Sequence, residues 1–366
     1  MRSSSTPVPL RSTVEDLSRR ALLAAPFALA ACDRFASAQT APRHVPPLKS
    51  FAPCPVGTCV MTGQIRDPQW VDLVSTHFSQ LTPEWEMKME YILQEDGSRR
   101  WDAPDRIGAF ARDFGLRLYG TTLIWYAQDH PWFNALPRAR FGAEYDRYIT
   151  DVVARYRGKV VGWDTVNEPV AEDGNGLRDS VWSRNLGADG YMVRAFQTAH
   201  AADPDAVLFL NDYNLENNPR KGATYLRLVE RLLKAGAPIG GLGTQSHLDI
   251  EIPAGQTAAF FRELAQFGLP IHVSELDAGL RSDRRIDLRS DAERVRQQTA
   301  RVAELTEAFV ALPPAQRFAF TIWGVRATDS WLRRGDKDDG KDSPVLFDDA
   351  GNATPMFDAV AGAFRG

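Results

Sequence analysis

Two glutamates follow short apolar runs that are typical of β-strands. Glu168 comes directly after the run at 160–166, and Pro169 stops backbone pairing just beyond it. Glu275 follows the run at 271–274 in the same way. A pair of carboxyl groups is the minimum apparatus for acid/base cleavage of a glycosidic bond. Each glutamate taken alone fits a helix N-cap or a loop ion pair more readily, so the interpretation depends on the residues around them.

The elements that must position these glutamates alternate in type along the chain. Eight apolar segments predict strands, and amphipathic segments between them predict helices. The strands are expected near 58–63, 78–82, 117–125, 160–166, 206–210, 241–245, 271–274 and 318–323. This alternation is typical of a (β/α)8 barrel, so we predict an α/β fold with a single TIM barrel.

Polar and aromatic residues close the predicted strands, where a barrel places its active site. They are Glu84, Glu86, Lys88, Trp125, Gln128, Asn167, Asn211, Asp212, Tyr213, Gln245, His247, Trp323 and Trp331. Amides bind hydroxyl groups and flat rings stack on sugars, so this set favours a carbohydrate site. For His247 a satisfied core position is the alternative, and for Asn167 a strand-end cap. No glycine-rich phosphate loop or metal-ligand spacing is present, so we expect no cofactor and no metal.

Six motifs in this order resemble glycoside hydrolase family 10, the endo-β-1,4-xylanase family. They are TPEWEMK at 82–88, WDTVNEP at 163–169, LNDYN at 210–214, TQSHL at 244–248, SELD at 274–277 and TIWG at 321–324. The resemblance extends from about Gly57 to the end of the chain and therefore covers nearly the whole predicted barrel.

The resemblance implies a role for most of the strand-end residues. Glu168 would be the acid/base and Glu275 the nucleophile of a retaining mechanism. Asn167 would hold the 2-hydroxyl of the sugar being cleaved, while His247 and Gln245 would orient Glu275. Trp323 and Trp331 would form walls of the site, and Tyr213 would contact the leaving-group sugar.

Three positions depart from the family pattern. Trp85 stands where the family usually has an asparagine that binds a sugar in the second glycone subsite. Thr121 and Tyr126 stand where the family usually has histidines, the first of which contacts the cleaved sugar. Each lost hydrogen bond to a hydroxyl costs roughly 0.5 to 3 kcal/mol. We therefore hypothesise that the glycone side is remodelled by these three changes, with Trp85 either stacking on the second sugar or blocking it.

The expected function is cleavage of β-1,4-xylosidic bonds in xylan or xylo-oligosaccharides. The alternatives are a related hydrolase for another β-linked glycan or glycoside, and a non-catalytic carbohydrate-binding barrel, against which the retention of both glutamates argues. The composition of 44% hydrophobic and 25% charged residues is ordinary for a soluble domain, and the net charge of -4 offers no basic field for nucleic acid. We expect a monomer whose partner is a polysaccharide or oligosaccharide.

Residues 1–38 predict an export signal. An arginine pair at 19–20, similar to a twin-arginine signal, precedes an apolar run at 21–31 that is too short to span a bilayer. The segment at 29–32 resembles a lipobox and would leave Cys32 as a lipid anchor, whereas an A-x-A site at 36–38 would release a soluble chain. We expect a periplasmic or membrane-tethered lipoprotein, or alternatively an extracellular protein. A Pro-rich linker at 39–50 and a catalytic domain at 51–366 follow.

Two further segments each have two interpretations. Cys54 and Cys59 are close enough in an exported chain to form a small-loop disulfide, and two reduced thiols are the alternative. The acidic segment at 335–342 superficially resembles a calcium loop, but its spacing and interleaved lysines favour a solvated loop.

Overall fold

A computed structural model describes residues 44–281, 287–335 and 340–366. The strands are β1 (Val56–Val60), β2 (Gln80–Pro83), β3 (Arg117–Gly120), β4 (Ile124–Trp125), β5 (Val160–Asn167), β6 (Val207–Asp212), β7 (Gly241–Thr244), β8 (Ile271–Leu276) and β9 (Arg317–Ile322). They form one parallel sheet in the order β3-β2-β1-β9-β8-β7-β6-β5-β4, which the pairing of β3 with β5 closes. Because β3 and β4 both pair with β5, they share one position, and the predicted (β/α)8 barrel is confirmed.

Helices surround the strands. They are α1 (Pro68–His77), α2 (Met89–Ile92), α3 (Asp102–Asp113), α4 (Pro131–Asn134), α5 (Arg138–Arg155), α6 (Val181–Leu186), α7 (Gly190–Ala202), α8 (Pro219–Lys234), α9 (Gln256–Ala265), α10 (Asp291–Val310) and α11 (Pro355–Arg365). Short polar side chains cap several of them: Asp67 accepts from the first turn of α1, and Asn218 from that of α8. Ser290 and Glu293 form a reciprocal capping box at α10.

The third strand is interrupted where the sequence predicts a continuous run. β3 ends at Gly120, the Thr121–Thr122 peptide is cis, and β4 begins at Ile124. The intervening segment bonds to β5 instead of continuing the ladder: the Thr122 hydroxyl and the Leu123 N–H both donate to the Asp164 carbonyl, at 2.9 Å each. The prediction of one uninterrupted strand over 117–125 is therefore wrong.

Aromatic side chains fill the barrel below its C-terminal end. The rings of Tyr119 and His272 lie 4.5 Å apart, and those of Phe209 and Phe318 lie 4.6 Å apart. Trp163 is fully buried, and a Cβ at Gly120 would lie 2.2 Å from its ring, so that position needs glycine. A packed interior leaves only the rim of the barrel open to a ligand.

The predicted signal and Cys32 lie outside the described residues. Within the predicted linker, Leu48 is fully buried and its N–H donates to His77 Nδ1 at 3.3 Å. No helix in the described part of the chain combines the length and apolarity needed to cross a membrane.

Cys54 and Cys59 are both free thiols, so the disulfide interpretation is wrong. Cys59 is buried in β1. Cys54 is only partly exposed, and burial raises the pKa of its thiol to about 12. Both cysteines therefore belong to the packed wall of the barrel.

Candidate active site

The two glutamates occupy the C-terminal ends of β5 and β8. Glu168 comes directly after β5 and has a φ of 54°, in the left-handed region that non-glycine residues rarely adopt. Its N–H donates to the Asn211 carbonyl at 2.8 Å, which ties this backbone to β6. Glu275 lies within the end of β8, and each glutamate is only 8% exposed. Both carboxyl groups are thus held by the barrel itself, as predicted from the strand ends.

Three amide side chains connect the two carboxyl groups. Gln245 Nε2 donates to Glu168 Oε1 at 2.9 Å and to Asn167 Oδ1 at 3.3 Å. Asn211 Nδ2 donates to the same Asn167 oxygen at 3.1 Å and to Glu275 Oε1 at 3.3 Å. The expected role of Gln245 needs correction, because its side chain binds Glu168 rather than Glu275. Its backbone carbonyl does contact Glu275, accepting that residue's N–H at 3.0 Å.

Asn211 is a central residue of the site that the sequence identified only as a strand end. Ser274 Oγ donates to its Oδ1 at 3.0 Å, which fixes the orientation of the amide. A Cβ at Gly243 would lie 2.3 Å from that oxygen, so the neighbouring strand makes room for it. The LNDYN motif contains the signal for Asn211, but its contact with Glu275 is a tertiary feature.

Neutral donors surround the Glu168 carboxyl group. Trp125 Nε1 donates to Oε2 at 2.8 Å, and Asn167 Nδ2 donates to Oε1 at 3.1 Å, beside Gln245. Trp182 Nε1 in turn donates to the Trp125 backbone carbonyl at 2.9 Å and so holds the backbone that carries this indole. Within the described residues, both oxygens of Glu168 are therefore bound by neutral donors.

Glu275, in contrast, lies next to a charged pair formed by His247 and Asp277. His247 Nε2 lies 3.5 Å from Glu275 Oε2, and its Nδ1 lies 2.9 Å from Asp277 Oδ2. Trp331 Nε1 donates to the same Asp277 oxygen at 2.7 Å. Burial opposes a charge on the imidazole, but Asp277 and then Glu275 outweigh it and raise the pKa of His247 well above its ordinary value. Asp277, which the strand-end pattern does not single out, thus stabilises a cation beside Glu275.

Two tryptophan rings lie beside His247. The His247 ring lies 5.4 Å from the Trp331 ring and 6.5 Å from the Trp323 ring. Trp323 is almost fully buried, whereas Trp331 is 46% exposed and presents a free face. An exposed indole fixed by its N–H is suited to stacking on a sugar.

Tyr213 lies in a second aromatic group that also contains Tyr126. Arg178 Nη2 donates to the Tyr213 hydroxyl at 2.6 Å, and its guanidinium carbon lies 4.1 Å from the centre of the Tyr126 ring. Glu172 binds both Arg178 and the Tyr213 hydroxyl. Tyr126, one of the three departures from the family pattern, thus lies beside Tyr213 and shares Arg178 with it.

Thr121 lies beneath the site and is almost fully buried. It adjoins Asp164, whose Oδ1 accepts from the Tyr119 hydroxyl at 2.6 Å. Burial is the main cause that raises the pKa of Asp164 to about 7, and hydrogen bonds from Tyr119 and Thr121 oppose the shift. A hydroxyl thus occupies the position where the family pattern has a histidine.

The remaining predicted residues lie on the side of β2. Lys88 Nζ lies 4.9 Å from the centre of the Trp125 ring, and Gln128 Oε1 accepts from the Trp125 N–H at 3.1 Å. Trp85 is 41% exposed and meets the edge of Tyr91, with ring centres 5.0 Å apart. The Glu84 carboxylate is bound by an arginine described below. Gln128 and Lys88 thus contact Trp125, and Trp85 presents an exposed indole on this side of the barrel.

No group of three or more His, Cys, Asp or Glu side chains that could hold a metal occurs in the described ranges. Asp336, Asp338 and Asp339 of the acidic segment lie outside those ranges. Asp342 is described, and its Oδ1 accepts from the Leu280 N–H at 2.8 Å. A backbone contact of this kind uses the carboxylate to hold a loop.

A closed barrel with two linked glutamates, amides and exposed indoles at its C-terminal end defines a glycoside hydrolase. The family model for glycosyl hydrolase family 10 matches residues 49–363, and the chain belongs to this family. The resemblance found in the six motifs is thereby confirmed.

Curated and solved relatives are similar to this chain over most of its length. An endo-1,4-β-xylanase B from Paenibacillus barcinonensis is 33% identical over 305 residues, covering 80% of this chain and 90% of the relative. A thermostable mutant of a xylanase from Cellvibrio japonicus superposes with a TM-score of 0.81 at 30% identity, covering 87% of this chain and 100% of that one. A mutant of P. fluorescens subsp. cellulosa xylanase A in complex with xylopentaose superposes with a TM-score of 0.80 at 30% identity. The match covers 87% of this chain and 100% of that one. Three other relatives are longer, and this chain spans 28%, 26% and 56% of their lengths.

Proposed function

We propose that the protein is a retaining glycoside hydrolase that cleaves β-1,4-xylosidic bonds in xylan or xylo-oligosaccharides. The observation that carries the proposal is the pair of buried glutamates, joined by three amides but placed in different electrostatic surroundings. Similarity to proteins named endo-1,4-β-xylanases supports the substrate class.

In the first step Glu275 attacks the anomeric carbon while Glu168 donates a proton to the departing glycosidic oxygen. The carbon–oxygen bond to the leaving sugar breaks, and an ester between the sugar and Glu275 forms. His247, held as a cation by Asp277, stabilises the negative charge on Glu275 before attack. Asn167 and Asn211 lie between the two carboxyl groups, where they can bind the 2-hydroxyl of the sugar.

In the second step Glu168 acts as a base. It removes a proton from water as the water oxygen attacks the anomeric carbon, and the ester bond to Glu275 breaks. Two displacements restore the original configuration, and the proton taken from water returns Glu168 to its protonated form. The neutral donors around Glu168 suit a group that must be protonated in one step and ionised in the next.

A second candidate is a related hydrolase for another β-linked glycan or glycoside. The residues Trp85 and Thr121 favour it, because each replaces a hydrogen-bonding side chain expected near the glycone sugars. A non-catalytic carbohydrate-binding barrel is disfavoured by the two linked glutamates.

Hydrolysis of a panel of aryl β-glycosides and polysaccharides tests the proposal. NMR of the first-formed product is expected to show the β-anomer, and Glu168→Gln and Glu275→Gln are expected to lose turnover. Glu144→Gln is the matched control, since Glu144 is equally buried but binds Arg140 on α5. An α-anomer as first product argues against retention, and binding without turnover that both site variants leave unchanged argues for the silent barrel.

We also propose that the protein is exported and works as a monomer, with either Cys32 lipidated or the chain released after Ala38. Intact mass of the mature N-terminus separates the two routes, because a chain that begins unmodified at Gln39 has no anchor. Light scattering on the purified protein measures the oligomeric state.

A further inference from the structure

An ion pair joins two loops at the rim of the barrel. Arg334, in the loop after β9, donates from Nη1 to Glu84 Oε1 at 2.6 Å and from Nη2 to Glu84 Oε2 at 2.8 Å. Glu84 comes directly after β2, and β1 lies between β2 and β9 in the sheet. The pair therefore spans the C-terminal end of β1.

The Glu84 carboxylate is enclosed from both sides. It is 8% exposed, with Cys59 Sγ 3.9 Å below Oε2 and the guanidinium above. Arg334 Nη2 also donates to the Asp329 carbonyl at 3.0 Å, which anchors the arginine. A planar guanidinium fork matches both oxygens of a carboxylate, so it holds them in one geometry.

The loop that carries Arg334 also contacts the two-glutamate site. Trp331, three residues before Arg334, donates from Nε1 to Asp277 Oδ2 at 2.7 Å, and this oxygen lies 2.9 Å from His247 Nδ1. On the other loop, Trp85 follows Glu84 directly and stands where the family pattern has a residue that binds the second glycone sugar.

Neither residue is prepared to bind such a sugar by hydrogen bonds. Both oxygens of Glu84 already accept from Arg334, and Trp85 offers an indole where an amide is expected. The Trp85 ring stands against the edge of Tyr91 with an interplanar angle of 81°. A second sugar would have to displace a bidentate ion pair to reach the carboxylate.

We propose that Arg334 is a specificity-determining residue that withdraws the Glu84 carboxylate from a second glycone sugar by its ion pair. The enzyme then gains no hydrogen bond from a second glycone sugar, so it hydrolyses glycosides with one glycone sugar about as efficiently as those with two. This inference rests on the proposed glycosidase function and specifies its substrate: short oligosaccharides and glycosides in which one β-linked glycone sugar is sufficient.

The test compares kcat/KM for nitrophenyl β-xylobioside with that for nitrophenyl β-xyloside. The native enzyme is expected to treat the two within about threefold of each other, since the second sugar gains no hydrogen bond. Arg334→Ala is expected to raise the ratio about tenfold, the size of one hydrogen bond to a freed carboxylate. Arg334 is 40% exposed, so its truncation leaves the core intact, and thermal unfolding checks this.

Two further variants separate the mechanism from a general effect. Arg231→Ala is the matched control, because Arg231 on α8 makes a similar two-bond contact with Asp189 at the start of α7, at 3.0 Å for each bond. It is expected to leave the ratio unchanged. In the Arg334→Ala background, Glu84→Ala is expected to abolish the gain, because the gain depends on the released carboxylate.

The inference is overturned if the native enzyme prefers the xylobioside more than tenfold and Arg334→Ala leaves that preference unchanged. It is also overturned if the gain survives the loss of Glu84, or if Arg231→Ala gives the same gain. In each of these cases hydrolysis itself still occurs and the proposed function stands. Failure to hydrolyse either glycoside, with the controls folded, overturns both.

Discussion

The two carboxyl groups of the site have opposite surroundings. Glu168 is bound by an indole and two amides, all of them neutral donors. Glu275 is bound by one amide and by an imidazole that Asp277 holds in its cationic form. A nucleophile must be anionic before it attacks, whereas an acid/base must exchange its proton in each cycle. The difference teaches that the roles are assigned by the neighbours, since the two side chains are chemically identical.

One short segment after β7 produces this difference. Gln245 reaches Glu168, and His247, two residues later, reaches Glu275. Ser246 between them has a φ of 58°, and its hydroxyl donates to Glu216 Oε1 at 2.5 Å. The left-handed residue turns the chain, so that the two flanking side chains serve different carboxyl groups.

The largest effect is expected at Glu275. Glu275→Gln removes the attacking oxygen, so kcat/KM falls roughly 10⁴-fold or more for every leaving group. Steady-state assays with phenyl and dinitrophenyl β-xylosides measure the loss, and intact mass is expected to show no glycosyl adduct. Equal residual activity in Glu275→Gln and Glu168→Gln on both substrates would contradict the assignment of different roles.

Glu168→Gln is expected to show a loss that depends on the leaving group. The variant cannot protonate a phenolate, so hydrolysis of the phenyl glycoside falls about 10² to 10⁴-fold. A dinitrophenolate departs without a proton, so its burst of release persists, and the glycosyl-enzyme accumulates because water lacks a base. A pre-steady-state burst measures this, and a loss of the same size for both substrates would refute the acid role.

Strand ends can be located from the sequence because apolar runs of a parallel barrel are separated by amphipathic helices. This pattern alone places Glu168, Asn167, Gln245, His247 and Glu275 at one rim of the barrel. The partner of each side chain cannot be read in this way, because strand alternation does not tell which carboxyl group Gln245 will reach.

Contacts between residues that are far apart in the chain also could not be predicted from the sequence. Arg334 and Glu84 are separated by 250 positions, and no local pattern marks Arg334. The contact between Arg178 and the Tyr126 ring likewise joins segments that are far apart in the chain. Packing between loops from different strands decides such positions, and it depends on both partners.

Asp277→Asn tests whether the charged pair of Asp277 and His247 supports Glu275. The asparagine retains an oxygen for Trp331 but removes the negative charge that raises the pKa of His247. The imidazole of the variant therefore loses its proton at lower pH, and the alkaline limb of kcat/KM moves to lower pH. The loss at neutral pH is expected to be about 10 to 100-fold, the value of a hydrogen bond to a charged group. Asp249→Asn, in the loop after β7 that carries His247, is the control. An unmoved alkaline limb would contradict the role of Asp277.

Trp125→Phe tests the contribution of the neutral donors around Glu168, and it is expected to have the smallest effect of the four variants. It removes the 2.8 Å hydrogen bond to Glu168 Oε2, while Gln245 and Asn167 still hold Oε1. The loss of one such bond costs about 1 kcal/mol, or about fivefold in kcat/KM. Because the indole acts only on the proton donor, the loss should be greater for the phenyl than for the dinitrophenyl glycoside. Trp132→Phe is the control, since its indole N–H has no partner within the described residues. A loss independent of the leaving group would mean that Trp125 serves the sugar instead of the proton donor.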